Sequence, residues 1–363
     1  MPEESVMRVE ERKPQSTRTA RQAMALAQAA AQEERWQDAL DAYDLASRLA
    51  AREPAGDVAR ADALRGSGIV RLAMGDWVRA SLDFGASMNL AVYLRDPGRI
   101  GRAENALGGL EFERGDWDAA VRHYAAAREQ ATEAEDAHLL AQIENNEGTL
   151  WAARGEPERA EACFRRAIAH FERMDEHPCA GRAYNNLGLA LFAQRRLPEA
   201  VLAYDRALAE CKKRGDGTLA AKILINRARL SLAREEPLHA HAAAMTAWAF
   251  ARKLEDGPVA AGAMCLLGEI ARAFQDWSAA NHYLQRALRF SARGKAPFME
   301  AETWVQIGEL NRDRGSLDNA FDAWSNAGRC YTALGAMAPA DRVRERIEAA
   351  HAEMQPIPLR VSA

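Results

Sequence analysis

The chain of 363 residues carries 48 lysines and arginines against 52 aspartates and glutamates, a formal net charge of −4. A charge this small does not support a general electrostatic footprint for nucleic acid. The five cysteines are odd in number and form no Cys-x-x-Cys pair, which favours reduced, buried thiols over a disulfide framework. The acidic N-terminus lacks the apolar segment of a signal peptide, and no uncharged run is long enough to span a bilayer. We therefore expect a cytoplasmic protein without a nucleic-acid or membrane partner.

Residues 1–19 are mostly polar and charged and are predicted to form a flexible lead. After them one short phrase occurs eight times, at intervals of 40 or 41 residues. Its first anchor falls at Trp36, Trp77, Trp117, Pro157, Leu197, Pro237, Trp277 and Leu317. This period indicates a stacked repeat protein rather than a globular enzyme with one pocket. We predict eight repeats over residues 20–340, with starts at 20, 61, 101, 141, 181, 221, 261 and 301.

Each repeat is predicted to form two helices and no strand. Counted from the repeat start, position 8 is glycine at Gly68, Gly108, Gly148, Gly188, Gly268 and Gly308. Position 20 is alanine in all eight repeats, and position 24 is usually large, as at Tyr204 and Trp324. Because glycine inside a helix costs about 1 kcal/mol against alanine, its recurrence predicts the close approach of a second helix. The anchor tryptophans are interpreted as packing residues, and the aromatic at position 24 is predicted to fill the space between neighbouring pairs.

Recurring Gly-Asp and Gly-Glu pairs predict tight turns between the two helices of a repeat. Acidic residues near position 36, such as Asp136, Glu176 and Asp216, are predicted to offer a carboxylate to the next helix N-terminus. Residues 341–354 are rich in charge and predict a capping helix that covers the last repeat. Residues 355–363, with two prolines, are predicted to be a flexible tail.

The repeated residues resemble the tetratricopeptide repeat. Trp304-x-x-Ile307-Gly308 followed by Ala320-x-x-x-Trp324 matches its signature of a Trp, Leu-Gly, Ala and an aromatic residue. The period of 40 rather than about 34 residues is similar to long-repeat relatives, which include bacterial peptide-sensing regulators of the Rap type and animal adaptors with 40-residue repeats. The resemblance implies an all-α, right-handed superhelical solenoid of eight antiparallel helix pairs plus a C-terminal capping helix. It also implies that peptides or helices bind in a concave groove.

In this repeat type the first helix lines the groove, with positions 2, 5, 6, 9 and 13 pointing inward. Six asparagines occupy positions 5 and 6: Asn105, Asn145, Asn146, Asn185, Asn186 and Asn226. Cations flank them at Arg102, Arg182, Lys222 and Arg229. An asparagine amide carries one acceptor and two donor hydrogens, so a ladder of amides can pair with a peptide backbone. The cations would favour acidic side chains or a free carboxylate.

A plainer interpretation of these residues stays open. Asparagines inside helices could bridge neighbouring repeats and bind nothing, and a surface arginine is usually only solvated. In the last two repeats the inner positions are acidic (Glu269, Glu302, Glu309 and Asp313), which predicts either a polarity that orients a ligand or two solvated faces. No catalytic, metal-binding or phosphate-loop motif is present. We therefore expect no enzyme activity, no cofactor and no metal site.

The leading functional hypothesis is a protein–protein interaction scaffold that binds a peptide, a helix or a partner protein, possibly with acidic groups, in the groove. The alternative is a Rap-like, peptide-responsive regulator that changes the compaction of the superhelix and acts through a protein contact. A third hypothesis is self-assembly through the repeat ends. The oligomeric state stays open.

Overall fold

The computed structural model describes residues 19–33, 35–294, 296–334 and 336–354, and within them it contains helices and no strand. The helices are α1 Ala20–Gln32, α2 Trp36–Ala50, α3 Asp57–Ala73, α4 Trp77–Tyr93, α5 Pro97–Arg114, α6 Trp117–Glu133, α7 Ala137–Ala153, α8 Pro157–Arg173, α9 His177–Ala193, α10 Leu197–Arg214, α11 Gly217–Ala233, α12 Pro237–Lys253, α13 Gly257–Ala273, α14 Trp277–Arg293, α15 Pro297–Asp313, α16 Leu317–Ala333 and α17 Met337–Met354. Apart from Thr19, the lead predicted at the N-terminus lies outside the described residues, as does the predicted tail.

The 40-residue period is two copies of a 20-residue unit. From α3 onward a helix begins every 20 residues, and most of these helices have 17 residues followed by a three-residue turn. The residue two positions before the next helix takes the left-handed conformation at twelve successive described turns. These residues are Gly75, Arg95, Gly115, Glu135, Gly155, Asp175, Arg195, Gly215, Glu235, Glu255, Gln275 and Gly315. Glycine tolerates this conformation without a Cβ penalty, but seven of the twelve turns use another residue.

Aspartate caps explain several helix starts. The side chains of Asp76, Asp116, Asp136, Asp216, Asp256 and Asp276 each accept a hydrogen bond from a backbone N–H in the first turn of the next helix. The predicted cap at Glu176 is wrong, because its side chain makes no such bond. The longer glutamate side chain is not among the residues that favour this position. Here a proline in the first turn, Pro178, preorganises the backbone instead.

The chain divides into two compact units, Met1–Leu110 and Glu111–Ala363, with the boundary inside α5. In the first unit α1 packs on α2 and α3 packs on α4. In the second, the pairs α7–α8, α9–α10, α11–α12, α13–α14 and α15–α16 pack together, and each second helix contacts the following first helix. Both units are therefore stacked helix pairs. The C-terminal helix α17 packs on α16, and it begins at Met337 and not at residue 341, where the capping helix was predicted to begin.

The recurring glycines make room for the large residue at position 24 of their own helix pair. A Cβ built on Gly188 would lie 2.6 Å from the Tyr204 ring, and one on Gly148 would lie 2.6 Å from the Phe164 ring. Tyr204 is 0% exposed. The predicted close approach is thus confirmed. The aromatic residue was predicted to fill the space between neighbouring pairs. In the structure its ring borders the next pair and also lies over the glycine of its own pair.

The four anchor tryptophans stand at the first residue of their helices and are half-buried. Each packs against a buried hydrophobic cluster of its own unit. Three of the five cysteines, Cys163, Cys211 and Cys265, are buried, whereas Cys179 and Cys330 are half-buried. Burial raises the pKa of the Cys211 and Cys265 thiols to about 12, so both are protonated at neutral pH. None of the described helices contains an apolar stretch that could cross a membrane.

The hydrogen bonds of one glutamate, Glu161, make the stability of the fold depend on pH. Glu161 on α8 accepts hydrogen bonds from Arg165 on its own helix and from Gln194 and Arg196 in the α9–α10 turn. Burial alone would raise the pKa of Glu161, but these three bonds lower it below its usual value. A carboxyl whose pKa is depressed in the folded state stabilises the fold above its unfolded pKa, and this contribution is lost as the pH falls through the folded pKa.

We therefore expect Glu161→Gln to lower the melting temperature at neutral pH and to leave it unchanged in acid, where wild-type Glu161 is protonated. Melting curves by circular dichroism over a pH series test this. Exposed Glu129, which lies inside α6 and away from its N-terminus, is the control, and Glu129→Gln should change neither limit. An equal loss at all pH values would contradict the role assigned to the Glu161 charge.

Candidate functional site

The predicted asparagines of the second unit lie in three neighbouring first helices and touch one another. Asn186 on α9 donates from Nδ2 to Oδ1 of Asn145 on α7 at 3.1 Å, and Asn226 on α11 donates to Asn185 on α9 at 2.9 Å. Asn185 and Asn186 are joined by a 3.4 Å bond. The four side chains therefore form a continuous amide row across α7, α9 and α11. Asn146 also lies on α7 and is half-buried like the others.

This amide row partly matches the plainer interpretation, because the asparagines do bridge neighbouring repeats. It does not use up their hydrogen-bonding capacity. Each amide carries two donor hydrogens and an acceptor with two lone pairs. Asn226 Nδ2 and Asn145 Oδ1 each hold one bond within the row, and Asn226 Oδ1 and Asn145 Nδ2 hold none in it. The row is thus a set of amides fixed in orientation by their neighbours, and its role in binding stays a prediction.

The predicted cations of the second unit flank the row on the same helices. Arg182 on α9, Lys222 and Arg229 on α11 are all exposed. Arg182 donates to the Sγ atom of Cys179 at 3.2 Å. Among the described residues no carboxylate lies within salt-bridge distance of Arg229. The face of α9 and α11 therefore carries three cations beside fixed amides, which together suit an acidic group next to a peptide backbone.

Two predicted residues, Arg102 and Asn105, lie on α5 in the first unit. Arg102 lines a cavity of about 560 Å³, together with residues of α1, α2 and α3. Arg65 and Arg99 line the same cavity and were not among the predicted residues. The pattern did contain a signal for Arg65, since it stands at position 5 of the second repeat, where the next three repeats carry asparagine. A rule that follows one residue type along the repeats misses a change of type at the same position.

Three of the four acidic inner positions of the last two repeats, Glu302, Glu309 and Asp313, are paired within the protein. The fourth, Glu269, is half-buried on α13. Glu309 is 8% exposed and binds Arg312 at 2.7 Å and Arg346 of α17 at 3.2 Å. Asp313 binds Arg272 at 2.5 Å, and Glu302 accepts a hydrogen bond from the Tyr331 hydroxyl. These acidic groups therefore hold repeats and the capping helix together. The predicted polarity that would orient a ligand has no support from them.

One described group has the ligand types of a metal site. His138, Glu176 and Cys179 place one ligand atom each within 4.8 Å of the others, at the starts of α7 and α9. Zinc bonds of about 2.0–2.3 Å require ligand atoms closer together, and a structural zinc site has four protein ligands. The three residues are therefore an incomplete set that would have to move together to hold an ion.

Comparison with known proteins finds a known repeat family in part of the chain. The family model described as tetratricopeptide repeat matches residues 99–173 and 139–213, which together span α5 to α10. None of the curated protein sequences compared with the chain is detectably similar to it.

Solved structures share the fold at low sequence identity. A Rap protein complexed with competence and sporulation factor is 12% identical with a TM-score of 0.60, and the match covers 92% of this chain and 98% of that one. Aspartyl phosphate phosphatase F from Bacillus subtilis is 14% identical with a TM-score of 0.60, over 80% and 75%. Yeast Tom70 is 12% identical with a TM-score of 0.61, over 97% and 67%. At sequence identities this low, the structural similarity establishes a shared helical-repeat fold alone.

Proposed function

We propose that this chain, a helical-repeat protein of the tetratricopeptide type, is a non-catalytic interaction scaffold. It holds a peptide, or an acidic segment of a partner protein, against α7, α9 and α11. The observation that carries the proposal is the row of fixed amides at Asn145, Asn186, Asn185 and Asn226 beside exposed cations. The scaffold acts in the cytoplasm of a bacterial cell, and needs no cofactor.

The chemistry of such a face follows from its two kinds of group. Amides whose orientation is fixed by their neighbours lose little rotamer freedom when they bind a backbone N–H or C=O, which lowers the entropic cost of association. Arg182, Lys222 and Arg229 attract acidic groups and form charge-assisted hydrogen bonds worth about 1.5–3 kcal/mol each. The amides would accept any sequence, and the cations would select acidic ones.

The test starts from a displayed library of random short peptides selected on the full chain. We expect the enriched peptides to be acidic and to bind more weakly as salt rises. Replacing Arg182, Lys222 and Arg229 together with glutamate should weaken their binding by about 100-fold or more, because several charge-assisted bonds become repulsive. Fluorescence anisotropy with a labelled peptide measures the loss.

The matched control replaces Arg122, Lys212 and Arg289 with glutamate. These are also two arginines and one lysine, exposed on second helices α6, α10 and α14. This variant has the same change in net charge and should bind as the wild type does. Equal weakening of peptide binding in both variants would mean that the effect comes from net charge, and it would contradict a binding site on α9 and α11.

The asparagines are tested by Asn226→Ala. Loss of its hydrogen bond to Asn185 should lower the free energy of unfolding by about 1 kcal/mol, and loss of an amide from the face should also weaken peptide binding. A change in stability without any change in affinity would leave the amide row a purely structural feature.

The alternative, a peptide-responsive regulator, uses the same face. One solved structure with this fold is a Rap protein in complex with competence and sporulation factor. If the alternative holds, small-angle scattering should show a smaller radius of gyration when an enriched peptide is added. A constant radius favours the plain scaffold.

A further inference from the structure

The N-terminal unit contains a cavity of about 560 Å³ that none of the functions above uses. It lies among α1, α2, α3 and α5, all within residues 20–102. Pockets of about 300–1,000 Å³ accept small organic ligands. The volume therefore suits a small molecule or a few residues of a peptide.

The charged groups of the cavity are mostly arginines. Four arginines and two carboxylates line it: Arg21, Arg65, Arg99, Arg102, Glu53 and Asp62. Arg99 is already paired, since it binds Asp62 at 2.9 Å and also binds Asp96, outside the cavity wall. This pairing engages Asp62, the one wall carboxylate on α3, with Arg99 and not with Arg65.

Arg65 is the arginine on which the case for an anionic ligand depends. It is half-buried on α3, and in the part of the chain that the structure describes no carboxylate lies within salt-bridge distance of it and no side chain accepts its hydrogen bonds. Burial lowers the pKa of Arg65, and the neighbouring Arg102 and Arg99 lower it further against the opposing effect of Asp62. A partly desolvated cation beside other cations is stabilised by an ion partner. An anion in the cavity would supply the missing partner.

The uncharged part of the wall is mostly apolar, with Gln28 and the phenol of Tyr43 as its polar side chains. Met24, Val58 and Ile69 line the cavity, and Val58 and Ile69 are 38% and 45% exposed. Tyr43 also lines it and is 6% exposed, with its ring held against Gly66. A ligand that fills this space would bury apolar surface while its charged end meets Arg65.

We propose that this cavity is a second binding site, for a small organic anion in which a carboxylate or phosphate is attached to an apolar body. The site is built from residues of the first unit only, so it stands independently of the peptide face on α7, α9 and α11. Arg65 binds the anionic group, and Met24, Val58 and Ile69 contact the apolar body.

The test uses the full chain and four probes: hexyl phosphate, hexanoate, inorganic phosphate and neutral hexanol. Isothermal titration calorimetry should detect hexyl phosphate or hexanoate, with inorganic phosphate at least about ten-fold weaker and hexanol without measurable heat. The tighter of the two anions identifies whether phosphate or carboxylate is the natural head group. Binding of hexanol as tight as that of the anions would overturn the proposal, as would the absence of heat for both hexyl anions.

Variants of Arg65 test whether this residue binds the anionic group. Arg65→Gln should weaken the hexyl anion by at least about ten-fold, and Arg65→Lys, which keeps the charge, should weaken it less. Exposed Arg52, which does not line the cavity, gives the matched control Arg52→Gln, and this variant should bind as the wild type does. Equal affinity of Arg65→Gln and the wild type would overturn the assignment.

A second readout separates binding from structure. Without ligand, Arg65→Gln should melt at the same temperature as the wild type or higher, because it removes a partly desolvated cation that has no ion partner. A clear fall in melting temperature would give Arg65 a structural role and contradict the proposal. If Arg65→Gln does not fold, Arg65→Lys and the wild type still decide through their relative affinity for the hexyl anion.

Discussion

Replacing Gly188 with alanine should lower the free energy of unfolding by about 1–3 kcal/mol, although alanine is the better helix former. The new Cβ would lie 2.6 Å from the Tyr204 ring, which is 0% exposed and has no room to retreat. The overpacking cost exceeds the gain of about 1 kcal/mol in helix propensity. Denaturant unfolding followed by circular dichroism measures the difference.

Gly85 on α4 is the control. A Cβ there would meet nothing within 4 Å, so Gly85→Ala should stabilise the protein by about 0.5–1 kcal/mol through helix propensity alone. The pair thus predicts opposite signs for one chemical change inside a helix. A stabilising Gly188→Ala would show that the tyrosine ring is free to move and that the glycine is not required for packing.

Removing both cations beside Glu144 should destabilise the second unit by about 3 kcal/mol. Glu144 on α7 is 5% exposed and binds Arg166 of α8 at 3.0 Å and Arg128 of α6 at 3.5 Å. Its second oxygen, Oε2, is buried without a hydrogen-bond partner. The double variant Arg128→Met, Arg166→Met leaves that carboxylate buried and unpaired, with only His170 at 4.0 Å.

The rescue variant adds Glu144→Leu to the same double change. An apolar side chain in place of the buried carboxylate should recover most of the lost stability, because replacing a whole buried ion cluster with apolar residues is often close to neutral. Failure of the rescue would mean that the two arginines act through packing of their stems or through the 2.5 Å ion pair of Arg128 with Glu147, and not through the Glu144 charge. Chemical unfolding of the three proteins distinguishes the two outcomes.

Most of the fold followed from local pattern. The anchors at Trp36, Trp77 and the six later positions are each the first residue of a helix. The glycines at position 8 predicted close helix contact, and the rings of Phe164 and Tyr204 are found there. These features are predictable because both contacting residues lie in the same repeat, so the same short-range pattern recurs along the chain.

The candidate site was predictable only in part. The positions that carry Asn145, Asn185 and Asn226 were found from their register, but what their amides contact was not. The bonds Asn186–Asn145 and Asn226–Asn185 join residues 41 apart, one more than the repeat period. That offset of one residue depends on the axial position of one first helix relative to the next, which the sequence of a single repeat does not specify.

Sequence by itself determined the helix pairs, their period and the faces that carry asparagine and arginine, because these depend on spacing within a helix. Tertiary structure decided which polar groups are already paired. It paired Glu309 with Arg346 of the capping helix, and it left Arg65 lining a cavity without a carboxylate partner. The reason is physical: the charge state and availability of a side chain depend on neighbours distant in the chain, whereas its place on a helix face depends only on residues nearby.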